Sequence, residues 1–157
     1  MLSILLPTDF SENSKNAINY ALEFFKYQKV QFYFMHAYRN EFYDHDELVS
    51  RDVFDDVLEK VKTDSKNNLE KLLKEVNEIE LHFLYTYHSI SANNSLVEEA
   101  NEIADKHNID LIVMGTKGKS NERHIIFGSQ TFQVLKYVDC PVLAIPSNYK
   151  NTQPKHI

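Results

Sequence analysis

The 157-residue chain has the length of one domain and is long enough to bury a hydrophobic core. Its formal net charge of −6 argues against general binding to nucleic acids or membrane surfaces, because both need clustered basic residues. Cys140 is the only cysteine, which excludes an intramolecular disulfide or a cysteine metal cluster and is typical of the reducing cytoplasm.

The first half of the chain is predicted to alternate strands and helices. The initial apolar run ends at Pro7 after too few residues for a signal peptide and without a basic start, so it is read as a buried strand. Later segments show helical apolar spacing or β-forming side chains. The predicted elements are strands over residues 3–6 and 30–35, helices over 12–28 and 53–76, and a loop or lid over 38–50.

The second half continues the same alternation and completes an α/β pattern. It is predicted to contain strands over 79–87, 110–114 and 141–146, and helices over 95–107 and 128–138. In the last helix, Phe132, Leu135 and Val138 are predicted to face inward. The order predicts an open, doubly wound, parallel five-stranded sheet with helices on both faces, which is a Rossmann-like fold. One domain over 1–146 and a polar tail over 147–157 are expected.

The three glycines of the chain lie close together, with the spacing G-x2-G-x9-G-S over Gly115, Gly118, Gly128 and Ser129. A turn at the first two exposes backbone amides, and the third opens a helix whose N-terminus attracts anions. The intervening loop is basic, with Lys117, Lys119 and Arg123. Since ligands of open α/β sheets bind beyond the carboxyl ends of the strands, a phosphate-bearing ligand is predicted there.

Other sites are less well supported by the sequence. Val113 occupies the position of the first glycine of a Walker sequence, which excludes a P-loop, and the Rossmann glycine fingerprint is missing. The acidic triplet over 44–46 is typical of a solvated loop, so no metal site is predicted. Because no histidine is placed by spacing beside Ser129, no catalytic residue is predicted. His36 is interpreted as a packed, hydrogen-bonded histidine. Glycines that merely cap a strand and a helix remain the alternative to a phosphate site.

Three segments carry a family resemblance. Residues 7–11 (PTDFS), the glycine pattern up to Ser129 and residues 139–143 (DCPVL) together resemble universal stress proteins over about residues 1–146. The glycine pattern matches the nucleotide-binding motif of the ATP-binding branch of that family. The resemblance implies the adenine nucleotide alpha-hydrolase-like form of the fold, with strand order 3-2-1-4-5. The chain departs from the family pattern at Gln130, usually apolar, and at residues 89–91, where a Gly-x-Pro turn often follows the third strand.

The resemblance implies a set of ligand contacts, with ATP as the ligand and Mg²⁺ as an accompanying ion left open. Asp9 would be the main acidic contact of the adenosine half, and the backbone of Ala37 would bind the adenine edge. The residues expected at the site are Pro7, Thr8, Asp9, Ala37, Met114, Gly115, Gly118, Gly128, Ser129, Gln130 and Thr131.

The function expected from this resemblance is that of a cytoplasmic, ATP-binding regulator in the stress response. An enzyme of the same superfamily with slow ATP hydrolysis or nucleotidyl transfer remains the alternative, and a flavin-binding protein is a more distant one. The apolar strand over 142–145 is expected at the sheet edge, where it lacks charges that oppose pairing. A homodimer through this strand is therefore predicted, weakened by Leu143→Pro. No nucleic-acid or membrane partner is expected.

Overall fold

The computed structural model describes residues 1–39, 51–79, 83–117, 127–147 and 149. Within these residues the chain alternates five strands with four helices. The elements are β1 (Leu2–Pro7), α1 (Glu12–Phe24), β2 (Val30–Ala37), α2 (Arg51–Ile79), β3 (Tyr85–Ala92), α3 (Leu96–His107), β4 (Leu111–Gly115), α4 (Ser129–Tyr137) and β5 (Val142–Ile145).

The five strands form one parallel sheet in the order β3-β2-β1-β4-β5, which confirms the predicted fold. β1 pairs with β2 through six residue pairs, but with β4 through two, Ile4–Leu111 and Leu5–Ile112. The strand order reverses between β1 and β4, and both strands continue past their shared ladder. The sheet therefore has a crevice at the switch point, where open α/β sheets bind ligands.

Both faces of the sheet are covered by helices, as predicted. α1 and α2 cover one face, and α3 and α4 cover the other. The first core contains Ile4, Leu6, Ala17, Ile18, Phe32, Phe34, Leu69, Leu72 and Val76; the second contains Leu5, Met35, Ala100, Ile103, Ile112, Val134 and Val138. Successive residues of the central strands enter opposite cores, which explains why their sequences are continuously apolar.

The third strand lies later in the chain than predicted. α2 continues to Ile79, and β3 runs from Tyr85 to Ala92 rather than over 79–87. Its pairing with β2 and the ring contact between Tyr85 and Phe32, with centroids 4.8 Å apart, fix this position. Residues 89–91 are consequently inside the strand and do not form the turn after it. Pairing and aromatic packing outweigh the loose alternation of the sequence.

The inward face of α4 also differs from the prediction. Phe132 and Leu135 are 54% and 41% exposed, whereas Thr131 and Val134 are buried; Val138 is buried as predicted. The buried positions recur after three and four residues, as one helix face requires. The hydroxyl of Thr131 donates to a carbonyl at the end of β4, which fixes the rotation of the helix about its axis. A count of apolar residues could not show that a threonine faces inward.

The long helix α2 contacts the sheet over only part of its length. The apolar spacing of the sequence predicts one inner stripe along this helix, through Val53, Val57, Val61, Leu69, Leu72 and Leu73. Val53 is instead 48% exposed, and no side chain over 51–64 is buried. The buried residues begin at Ser65 and continue through Leu69, Leu72 and Val76. The first half of α2 therefore makes few contacts with the core. The predicted loop over 38–50 lies outside the described residues from residue 40 onward.

Candidate functional site

The loop after β1 is held in shape by its own side chains. Phe10 has a left-handed backbone (φ 63°), and its N–H donates to Thr8 Oγ1 at 3.0 Å. The N–H of Ser11 donates to Asp9 Oδ1 at 3.0 Å, and Ser11 in turn caps α1 by accepting from the N–H of Ser14 at 3.2 Å. Thr8 Oγ1 also shares a hydrogen bond with the buried hydroxyl of Ser14 at 3.0 Å. These bonds offset the roughly 1–2 kcal/mol cost of the left-handed residue and fix Asp9 at the end of β1.

The backbone of Ala37 is directed toward the crevice. The carbonyl of Met35 accepts from the N–H of Thr8 at 2.8 Å, so the peptide groups of Met35 face β1. In a parallel ladder, residues two positions apart present their peptide groups to the same side. The carbonyl of Ala37 therefore points past Pro7, the last residue of β1. It can accept a hydrogen bond from a ligand in the crevice.

Gly115, the last residue of β4, is crowded by other backbone. A Cβ added there would lie 3.1 Å from the carbonyl oxygen of Asn13 in α1 and 3.3 Å from that of Lys117. Its φ is not positive, so the residue is needed for a close approach and not for a left-handed turn. Because the N–H of Thr116 donates to Ile145 of β5 at 3.1 Å, the peptide groups of Gly115 face the opposite side, toward β1.

The N-terminus of α4 lies at the end of β4. Gly128 is its N-cap and offers no side-chain cap, and the N–H of Phe132 makes the first intrahelical bond, to Gly128 at 3.0 Å. The amides of residues 129–131 precede that bond and have no partner within the helix. Thr131 Oγ1 donates to the carbonyl of Gly115 at 2.8 Å, which ties this helix end to the crevice. The positive end of the helix dipole is thus available to an anion there.

The structure brings the described members of the predicted site to one edge of the sheet. They lie at the end of β1 (Pro7), in the loop that follows it (Thr8, Asp9), on β2 (Ala37) and β4 (Met114, Gly115), and at the N-cap and start of α4 (Gly128, Ser129, Gln130, Thr131). Gly118 lies outside the described residues, as do Lys119, Arg123 and the acidic triplet over 44–46.

Three of these residues also serve the fold. Thr8 and Thr131 are buried and their hydroxyls bond to other protein groups, whereas the side chain of Met114 packs in the second core. Ser129 and Gln130 are exposed. The backbone of Met114 is consequently the part that can border a ligand.

Sequence reasoning missed two residues that shape the site. The buried hydroxyl of Ser14 supports Thr8, and the carbonyl of Thr116 accepts from the N–H of Gly128 at 2.7 Å, which joins the end of β4 to the N-cap of α4. The spacing of Ser14 after the helix cap Ser11 could have indicated the first. A backbone bond across a loop leaves no signal in the side chains.

The sequence and the fold both match known proteins. The sequence model that describes the universal stress protein family matches residues 1–146. The chain belongs to the universal stress protein family. Two relatives come from Methanocaldococcus jannaschii. Universal stress protein MJ0577 is 27% identical over 90% of this chain and 93% of its own length. Universal stress protein MJ0531 is 30% identical over 90% of this chain and 80% of its own length.

Solved structures extend this similarity to the three-dimensional fold. The structure of hypothetical protein MJ0577 superposes with a TM-score of 0.72 at 26% identity and covers 96% of this chain and 98% of its own. Two further structures share the fold. A universal stress protein family protein from Arabidopsis thaliana with AMP bound has a TM-score of 0.59 at 15% identity and covers 98% of this chain and 97% of its own. A universal stress protein in complex with cAMP has a TM-score of 0.54 at 17% identity and covers 94% of this chain and 98% of its own. In the described part of this chain, no helix has the length and apolar character needed to cross a membrane.

Proposed function

We propose that this universal stress protein binds ATP in the crevice between β1 and β4 and uses nucleotide occupancy as a regulatory signal. The observation that carries the proposal is the tie between Thr131 and Gly115 at 2.8 Å, which holds a helix N-terminus without a side-chain cap at the switch point of the sheet. Helix N-termini at strand ends are suited to phosphate groups.

The nucleoside end of ATP fits the residues on β1 and β2. A carboxylate has about four acceptor positions, so Asp9 can bind a ribose hydroxyl while it accepts from the N–H of Ser11. The carbonyl of Ala37 faces the crevice and can accept from the exocyclic amino group of adenine. The backbone of Met114 and Gly115, on the other side, would flank the ribose.

The phosphate end fits the start of α4. The amides of residues 129–131, the hydroxyl of Ser129 and the helix dipole offer donors and positive potential to phosphate oxygens. Gly118 and the basic residues near it are expected to complete this end. Asp9, the acidic residue of the site, is assigned to the ribose, so Mg²⁺ would be carried by the phosphates.

A regulatory role is favoured over fast catalysis. His36 has 4% of its surface exposed and bonds to Ser65, so it does not serve as a base beside the phosphates. AMP and cAMP bound to two proteins of the same fold support an adenine nucleotide as the ligand. We therefore propose a nucleotide-responsive regulator of the stress response, located in the cytoplasm.

The direct test is to denature the purified protein and identify any released nucleotide, then to titrate ATP into variants. Asp9→Ala and Gly118→Val are each expected to weaken binding at least about tenfold, which is about 1.4 kcal/mol. Asp9→Asn retains the acceptor for the N–H of Ser11 and removes only the charge. Asp105→Ala, an exposed acid on α3, is the matched control and should bind as the wild type does.

Unchanged affinity in both Asp9→Ala and Gly118→Val would contradict the proposal, since the chain would then have the fold without the nucleotide site. ADP accumulating in the wild-type mixture, and not in Asp9→Ala, would favour the slow-hydrolysis alternative.

A further inference from the structure

A chain of buried polar groups lies behind the proposed nucleobase end of the site. Nδ1 of His36, one residue before Ala37, is 2.7 Å from Ser65 Oγ of α2, and Ser65 Oγ is 2.6 Å from Ser91 Oγ of β3. His36 and Ser65 are 4% and 1% exposed. Buried polar groups are costly unless bonded, so this relay (His36, Ser65 and Ser91) holds β2, β3 and α2 in one relative position.

Ser65 is the first buried residue of α2, and it divides the helix into two parts. After it, Leu69, Leu72 and Val76 pack in the core, whereas no side chain over 51–64 is buried. The first half of the helix thus lacks deep apolar contacts and depends on its junction at Ser65. Tyr38, which directly follows β2, is buried, and burial, with a smaller contribution from the charge of Glu59 on this half of α2, raises the pKa of Tyr38.

His36 also contacts the loop that carries Asp9. Its ring packs edge-on against Phe10, with the centroids 4.7 Å apart and the planes at 63°. Phe10 is the left-handed residue of that loop and directly follows Asp9. The imidazole of His36 therefore contacts the loop that carries Asp9 and bonds to Ser65 of α2. His36 also directly precedes Ala37, whose carbonyl faces the crevice.

We propose that His36 is a positioning residue that sets adenine selectivity, because its bond to Ser65 fixes the end of β2 and the first half of α2 around the nucleobase. The inference rests on the proposed function. Loss of the bond would leave the carbonyl of Ala37 less well placed, and a small displacement of a positioned group weakens its interaction markedly. The phosphate end, held by the bond between Thr131 and Gly115, would be unaffected.

The test compares affinities for ATP and GTP in His36→Phe and His36→Asn. Phenylalanine retains a ring against Phe10 and loses the bond to Ser65, whereas asparagine retains a polar group near the position of Nδ1. The ratio of ATP to GTP affinity should fall about tenfold in His36→Phe and stay within about twofold of the wild type in His36→Asn. Val76→Ala, which weakens the second half of α2, is the control for lost stability and should retain the ratio.

A second measurement does not depend on nucleotide. Amide hydrogen exchange over residues 51–64 should be faster in Ser65→Ala than in the wild type, with exchange after Ser65 much less affected. This variant also serves if His36→Phe does not fold. Unchanged selectivity in His36→Phe, or an equal loss in Val76→Ala, would overturn the assignment.

A wild-type protein that binds no ATP would overturn the proposed function and the selectivity role with it. Faster amide exchange over 51–64 in Ser65→Ala would then still support the role of Ser65 in anchoring the first half of α2. Unchanged exchange would overturn that role as well.

Discussion

Gly115 and Thr131 show how two small residues build the site through contacts that cross the fold. The missing side chain of Gly115 lets the carbonyl of Asn13 approach, and the hydroxyl of Thr131 bonds to the carbonyl of Gly115. α1, β4 and α4 therefore meet at one residue. Neither residue needs to touch a ligand to matter, because both position the groups that would contact it.

Gly115→Ala is expected to lower the free energy of unfolding by about 1–3 kcal/mol, as overpacking does when backbone must yield. The added Cβ would be 3.1 Å from the oxygen of Asn13, which cannot rotate away as a side-chain end can. Urea denaturation measures the change. Gly128→Ser is the matched control, because the φ of −65° at Gly128 suits any residue and serine is a good N-cap. Equal stability of Gly115→Ala and wild type would contradict the close approach.

Cys140 gives a pH-dependent prediction. Burial, reinforced by the charges of Asp110 and Asp139, raises the pKa of its thiol. The folded state thus favours the neutral thiol, and this contribution to stability is present below the unfolded pKa of about 8.5 and is lost as the pH rises through the folded pKa. In alkylation with iodoacetamide, the midpoint of rate against pH should be higher for the folded protein than for the chain in urea. Because Cys140 is the only cysteine, the signal is unambiguous. Coincident midpoints would contradict the shift.

At the scale of elements, the two helices whose faces were predicted least well are the two that shape the site. α4 is oriented by Thr131, and α2 is anchored by Ser65, both polar residues within an inward face. An apolar stripe is a sound guide to a helix that only covers a core. In α1, the residues Ala17, Ile18 and Ala21 recur at helical spacing in the sequence, and all three are buried. Where a helix end takes part in a site, a hydrogen bond decides its orientation.

Val134→Ala and Leu135→Ala form a matched pair on α4. Val134 is fully buried, so its truncation should cost about 1–3 kcal/mol of unfolding free energy. Leu135 is 41% exposed, and its truncation should change the stability of the monomer by less than about 0.5 kcal/mol. Urea denaturation at low protein concentration measures both. A larger loss in Leu135→Ala would restore the face predicted from sequence.

At the scale of the whole molecule, β5 is the last strand of the sheet that the described residues form, and none of those residues pairs with its outer side. Pro141 and Ile145 direct their carbonyls to β4. Because Leu143 lies two residues from each of them, its peptide groups also face β4. Val142 and Ala144 therefore direct their amides to the open edge. Leu143→Pro, the variant chosen from sequence, would break the intramolecular ladder instead. Phe132 and Leu135 of α4 add exposed apolar surface, which supports the proposed homodimer.

Ala144→Pro should shift the protein toward monomer, because it removes an N–H that would pair with a second copy and leaves the ladder to β4 intact. Light scattering at roughly tens of micromolar, where such pairing should be saturated, measures the mass. Ala144→Val retains the N–H and should remain a dimer. A monomeric wild type at that concentration would refute assembly through β5.

The sequence by itself determined the order of the elements and the parallel sheet, and it assigned the candidate site residues to the ends of particular strands. Continuous apolar runs at β1 and β4 required burial on both faces, and the glycines at 115 and 128 marked the strand end and helix start that meet there. These features follow from local composition and from the topology that short connections impose.

Only the tertiary structure decided which side chains face the candidate site and which support it. The bonds of His36 to Ser65 and of Thr131 to Gly115 join residues 29 and 16 positions apart, and the contact of Asn13 with Gly115 involves backbone alone. Such contacts depend on how elements are rotated and packed against each other. Each is a directional bond or a steric limit between distant atoms, which neither composition nor periodicity encodes.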